Sequence, residues 1–337
     1  MERRPPGKPD LTEHDCFYRI GLFPPRMQIR TSRSRSTDLS NNPATGSSSQ
    51  AGAAAHWDTM YADAVRSAWT KNPLVESELY VRMTGSPAHW LDWTFNKYLP
   101  PIKRLLSIGC GDGSHELAIA RHKFARHVTA FDASPVAIEQ ARAAARAEKL
   151  NIDFQVSTFE AFTEDQSTEQ FDAVLFCGSL HHVTEIEAML FAVRRRLKPK
   201  GHIIVNEYVG PCYQLYDAHQ LGVVNRMLDS IPAEFKIAPD AALKLPTIEM
   251  IMGGDPTEGV RASLIRTLLP MFFNVAYERL IGGALRHPVF GLLDDRRIND
   301  GSPESQMLAH MLIAADRELT RSGVLKDEFL FAVYTNP

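Results

Sequence analysis

The sequence predicts a doubly wound α/β domain with a seven-stranded sheet, and three observations carry that prediction. Short apolar runs alternate with helix-length segments from Arg104 onward: "RLLSIG", "HVTAFD", "IDFQVS", "FDAVLFC" and "HIIVNEYV", separated by stretches such as "SPVAIEQARAAARAEKL" and "EIEAMLFAVRRRLKPKG". Strands alternating with helices of this length imply right-handed crossovers and a parallel sheet covered on both faces. A glycine-rich turn, "LLSIGCGDGSHE", follows the first run directly, as a strand-to-helix binding loop requires. Finally, two late runs, "NVAYERLIG" and "EFLFAVYTN", are joined by the helix-like "PESQMLAHMLIAADRELTRSG", which predicts that the last strand runs antiparallel.

Composition sets the bounds. The chain has 337 residues, 44% of them hydrophobic, so it buries one large core or two modest ones. With 37 basic and 40 acidic side chains the formal charge is −3, which makes nucleic acid an unlikely partner. Cys16, Cys110, Cys177 and Cys212 lie far apart with no C-x-x-C spacing, which argues against a disulfide framework or a zinc site. No apolar run approaches the roughly 18 residues a membrane span needs, and no secretory apolar region follows the N-terminal arginines. A cytoplasmic location is expected, with no membrane partner.

Residues 1–55 are rich in Ser, Arg, Asn, Gly and Ala and read as a disordered low-complexity tail, dispensable for ligand binding. Residues 56–104 read as an N-terminal helical cover, because "HWDTMYADAVRSAW" and "PAHWLDWTFNKYL" place aromatics at helical spacing. Residues 105–337 then form the α/β domain. Its strand rhythm stops after the fifth strand, and residues 208–272 read as a helical insertion at the sheet edge where open α/β sheets bind ligands, hence a substrate cover.

The glycine loop narrows the ligand. Glycines at 109, 111 and 113 give G-x-G-x-G, a poor match to the nicotinamide pattern G-x-G-x-x-G/A, and no G-K-[ST] follows, which excludes a P-loop. Asp132 ends the second strand, where a carboxylate accepts hydrogen bonds from both hydroxyls of a ribose.

Four segments in order, "LLSIGCGDGSHE", "VTAFDASP", "FDAVLFCGSLHHV" and "RRRLKPKGHIIVNE", make the stretch from about Leu105 to Val209 resemble the class I S-adenosylmethionine-dependent methyltransferases, with their Rossmann-like sheet. "NEYVGP", "DPTEGVR" and a later "GG" are similar to a bacterial small-molecule group of that family. The resemblance implies S-adenosylmethionine as cofactor. It places Gly109, Gly111 and Gly113 at the methionine portion, Asp132 at the ribose, Thr158 and Phe159 beside the adenine, and Cys177 and Gly178 along the wall beneath, with Cys110 and Ala133 also among the cofactor-binding residues. One departure is Ser107, where an acidic residue often precedes the loop.

A methyl group on a sulfonium is already activated, so alignment is the protein's main task. A base is needed when the acceptor is a hydroxyl. His181 and His182, after the fourth strand, and Glu207 and Tyr208, at the end of the fifth, fall on the ligand rim by strand order. They read either as base and acceptor-orienting groups or as caps and packing. Asp255, Pro256 and Glu258 read as a capping box opening a helix, with Arg261 either paired to Glu258 or clamping an anionic acceptor. Gly282 and Gly283 read as a turn. No carboxylate cluster of suitable spacing follows the fourth strand, so no metal is expected.

The resulting expectation is methyl transfer to a small-molecule acceptor, at a hydroxyl. Two alternatives stand beside it, a protein or RNA methyltransferase and a non-catalytic S-adenosylmethionine-binding partner protein. The acceptor and the oligomeric state are not legible.

Overall fold

The computed structural model describes residues 48–62 and 72–337. The chain runs through α1 (Ser48–Ala62), α2 (Pro73–Thr84), α3 (Trp90–Asp92, continued as a π-helical turn through Tyr98), β1 (Ile102–Ile108), α4 (Ser114–Arg121), β2 (Ala125–Asp132) and α5 (Pro135–Glu148). It continues through β3 (Ile152–Val156), α6 (Phe159–Glu164), β4 (Phe171–Cys177), α7 (Ile186–Arg196), β5 (Leu197–Tyr208), α8 (Ala218–Asp229), α9 (Ile248–Gly253) and α10 (Ile265–Phe272). The last elements are β6 (Asn274–Leu280), α11 (Arg286–Gly291), α12 (Asp295–Ile298), α13 (Pro303–Arg321) and β7 (Phe329–Thr335).

The seven strands lie in the order β3-β2-β1-β4-β5-β7-β6. Strands β1 to β5 pair in parallel, and β7 inserts antiparallel between β5 and β6. The predicted sheet and its antiparallel last strand are therefore present. Central strands covered on both faces read as nearly continuous apolar runs, and Ala173 to Phe176 of β4 are fully buried accordingly. Side chains such as Trp90, Leu105 and Phe331 fill one face, while Ile108, Phe176 and Leu190 fill the other.

Local chemistry fixes the helix starts. Asn72 and Ser134 cap α2 and α5 with their side chains, and each is followed by proline at the first helical position. The predicted Gly282–Gly283 turn is present, with φ of 71° and 109°. The buried Asp316 carboxylate holds it by accepting from the Gly283, Leu285 and Arg286 amides.

Three expectations need correction. Helix α1 starts at Ser48, inside the segment read as low-complexity tail, because "AGAAA" has nothing to bury yet consists mostly of the best helix former. The rest of that tail, 1–47, lies outside the described residues, as do residues 63–69 of the predicted first cover helix. The insertion is only partly helical, with α8, α9 and α10 separated by irregular chain. The helix expected from Asp255 is also missing: residues 256–261 are turns. Asp255 Oδ1 accepts from the Thr257 amide at 2.8 Å and hydroxyl at 2.6 Å, closing a local turn that competes with helix, and Gly259 follows at φ 63°.

Candidate active site

The sheet order reverses between β1 and β4, so the loops after these two strands diverge and leave a crevice at their carboxyl ends. The glycine loop fills one side. Gly109 and Cys110 donate their amides to the Phe131 carbonyl at 2.9 and 3.0 Å, and the Gly111 amide reaches Asp132 Oδ2 at 2.9 Å. Gly111 has φ 56°, and a Cβ there would run into the Tyr61 hydroxyl. Gly113 must be bare for another reason, since a Cβ would come within 2.6 Å of Phe154 on β3.

A cavity with about 920 Å³ of empty space opens on this crevice. Gly109, Cys110, Gly111, Asp132, Ala133, Thr158, Phe159, Cys177 and Gly178 all line it, as the sequence reading expects. Gly113 does not, and serves the packing of α4 on its neighbours instead. Asp132 Oδ1 accepts from the Ser134 amide at 2.9 Å and Oδ2 from Gly111. Each oxygen keeps a second lone pair for a ribose hydroxyl. Bare backbone at the loop, a carboxylate at the end of β2 and the Phe159 ring fit S-adenosylmethionine.

The sequence reading has residues 56–104 as a helical cover but places none of its side chains at the site. Helix α1 lies over the loop: Asp58 accepts from the Ser134 hydroxyl at 2.5 Å, and Gln140 donates to the Tyr61 carbonyl at 3.1 Å. Ala53, Ala54, Trp57 and Tyr61 line the cavity, so the last residues of the segment expected to be dispensable border it. The aromatic spacing that predicted a helix was the available signal for Trp57 and Tyr61.

Trp57 also borders a second cavity of about 850 Å³, whose walls include Met60, Tyr213, Leu243, Met250, Asp255 and Glu258. Of His181 and His182, only His182 lines a cavity. His181 is fully buried, and its Nδ1 donates to Glu207 Oε2 at 2.7 Å. Glu207 Oε1 accepts the Ser179 and Leu180 amides at 2.8 and 2.7 Å, so this carboxylate is spent on fixing the loop and the ring. His182 lines the first cavity, with Nδ1 3.2 Å from Asp255 Oδ2 and 3.1 Å from Thr257 Oγ1. Burial alone would lower the His182 pKa, but the Asp255 carboxylate overrides it and holds it at about 9. Trp57 Nε1 donates to the same Asp255 oxygen at 2.8 Å and meets the His182 ring edge-on at 5.4 Å.

The remaining candidates fall elsewhere. Tyr208 is buried and lines neither cavity; its hydroxyl donates to the Pro211 carbonyl at 3.1 Å and meets Tyr216, and its ring lies edge-on to His181 at 6.2 Å. Arg261 makes a bidentate pair with Glu187 at 2.6 and 2.7 Å, neither with Glu258 nor facing a cavity. In place of the predicted capping box, Glu258 lines the second cavity, and its Oε1 accepts from Gln214 at 3.1 Å. Gln214 and Tyr213 both hold left-handed backbone, φ 56° and 52°, a strained arrangement of the kind that clusters at functional sites.

The carboxylate absent at Ser107 is supplied from α4. The Ser107 hydroxyl donates to buried Glu116 at 2.5 Å. Burial pushes the Glu116 carboxyl up to about 7 from an ordinary 4.5, against the pull of that hydrogen bond. The folded state thus binds this proton more tightly than the unfolded state. Its stabilising contribution is complete below the unfolded value and declines by on the order of 3 kcal/mol as pH rises through the folded one. Glu116→Gln is expected to flatten that decline in denaturant titrations run between about pH 5 and about pH 8. Parallel losses of stability in parent and variant would show that Glu116 is already charged in the fold.

With this geometry in place, the chain can be classified. Residues 105–201 match the family described as a methyltransferase domain, and this stretch is a class I S-adenosylmethionine-dependent methyltransferase domain. The chain is similar to the ubiquinone biosynthesis O-methyltransferase of Xylella fastidiosa (strain 9a5c), 33% identical over 103 residues, 31% of this chain and 41% of that protein. It is also similar to the demethylmenaquinone methyltransferase of Tropheryma whipplei (strain Twist), 30% identical over 140 residues, 40% of this chain and 56% of that one. The matches thus span about half the length of these curated relatives. Among solved structures, the cyclase SpnF covers 89% of this chain and 99% of its own at 18% identity and a TM-score of 0.46. No helix among the described residues is long and apolar enough to cross a membrane.

Proposed function

We propose that the chain methylates a hydroxyl of a small, largely apolar acceptor held in the second cavity. The observation that carries this reading is the meeting of two cavities at one wall, Trp57, beside the buried cluster of His181, His182 and Glu258. Bound S-adenosylmethionine supplies an activated methyl group. The protein aligns it: Asp132 and the glycine loop fix the cofactor, while Trp57, Met60, Tyr213 and Met250 fix the acceptor. Alignment of this kind is worth up to ~7–11 kcal/mol of barrier. Glu258, which lines the second cavity, is placed to take the hydroxyl proton, with His181 Nε2 3.8 Å behind it and held as an acceptor because Glu207 takes the Nδ1 proton. One relative is named an O-methyltransferase of ubiquinone biosynthesis and the other a demethylmenaquinone methyltransferase, which supports a small, apolar, quinone-related acceptor; the O-methyltransferase name alone speaks for a hydroxyl.

The test is release of S-adenosylhomocysteine by the purified chain against phenols, hydroquinones, sugars, peptides and RNA. Turnover confined to the phenolic and hydroquinone arms is expected. Turnover with peptide or RNA alone would replace this reading by a macromolecular one. Cofactor binding without any turnover would favour a non-catalytic partner protein.

A further inference from the structure

We propose that His181, His182 and Glu258 bind one divalent transition-metal cation. One donor atom from each of the three lies within 4.8 Å of the others. His181 Nε2 is 3.8 Å from Glu258 Oε1, and His182 Nε2 is 3.6 Å from Glu258 Oε2. Metal–nitrogen and metal–oxygen bonds near 2.1 Å in a tetrahedral set put neighbouring donors about 3.4 Å apart, so the two histidine–carboxylate pairs sit a few tenths of an ångström beyond that spacing and no donor pair lies more than about 1.4 Å beyond it.

The orientation of the rings is that of metal ligands. A ligating imidazole offers one nitrogen to the ion and donates its other N–H to a carboxylate. Both histidines do this through Nδ1, His181 to Glu207 at 2.7 Å and His182 to Asp255 at 3.2 Å. Both Nε2 atoms then converge on Glu258. Two of the three donor atoms, His181 Nε2 and Glu258 Oε2, are buried with no hydrogen-bond partner among the described residues. Orphaned buried polar atoms are costly, and here both belong to side chains that meet at 3.8 Å.

Charge agrees as well. Glu207, Asp255 and Glu258 give the cluster three carboxylates, and a divalent ion that displaces Nε2 protons from the imidazoles offsets them as fully as two such protons would. Two imidazoles and one carboxylate suit zinc, iron(II), cobalt or manganese rather than calcium. They leave positions open toward the two cavities, since His182 borders one and Glu258 the other. Under the methyl-transfer reading the ion would take over from the ligands it occupies: an acceptor oxygen placed there would ionise more easily, its proton leaving to solvent. The metal site itself does not depend on that reading, and its test needs no acceptor.

The full chain, free of any histidine tag, is stripped with chelator, titrated with Co²⁺ and separated from unbound metal, and cobalt is then measured by elemental analysis and by its ligand-field absorption. About one equivalent per chain is expected, with nitrogen and oxygen ligation in the spectrum. Glu258→Gln and His182→Gln should each weaken binding at least about tenfold, the lower end of what even outer partners of metal ligands are worth. Tyr208→Phe should bind as the parent does, and circular dichroism checks that all variants fold. Recovery of less than about a tenth of an equivalent, or parental affinity in both Glu258→Gln and His182→Gln, would overturn the proposal.

Discussion

Asp132→Ala is expected to weaken S-adenosylmethionine binding by about 10²–10⁴-fold. Two ribose hydroxyls lose a charged acceptor, each such bond being worth ~1.5–3 kcal/mol. The glycine loop loses its tether too, because the same carboxylate accepts from Gly111 and Ser134. Asp132→Asn should fall between parent and alanine: the amide keeps one oxygen acceptor, but its NH₂ opposes a backbone N–H. Titration calorimetry gives the affinities, and circular dichroism checks that the sheet persists. An alanine variant that binds within a few-fold of the parent would remove Asp132 from the cofactor site.

Glu258→Gln is expected to lower the single-turnover methyl-transfer rate by about 10²–10⁴-fold while leaving cofactor affinity nearly unchanged. The reasoning is positional: Glu258 borders the second cavity and faces both histidines, but is not part of the first cavity's wall. Tyr208→Phe supplies the contrast. Its hydroxyl bonds the Pro211 carbonyl and Tyr216 and lines neither cavity, so the variant should lose about 1 kcal/mol of stability and keep its rate. If Tyr208→Phe loses the rate and Glu258→Gln does not, the chemistry sits on β5 and the assignment of the cluster collapses.

Glu207 and Glu258 show how far strand order carries a site. Glu207 ends β5, and strand ends at the switch point face the ligand, so the sequence placed it at the rim. Its two oxygens are used by the Ser179 and Leu180 amides and by His181, which makes it a positioning group. Glu258 had the local pattern of a helix start. That pattern failed because Asp255 found stronger partners in Thr257, His182 and Trp57 than a helix end would offer.

The sequence by itself determined the sheet, the glycine loop and Asp132. Each depends on contacts between residues close in the chain: alternation of apolar runs, backbone freedom at glycine, and a carboxylate directly after a strand. Only the tertiary structure decided the roof and the reaction centre. Trp57 meets Asp255 and Asp58 meets Ser134 across long stretches of chain, and His181 meets Glu207 from another strand. Such pairings are set by which surfaces pack together, and no local pattern of residue types encodes them.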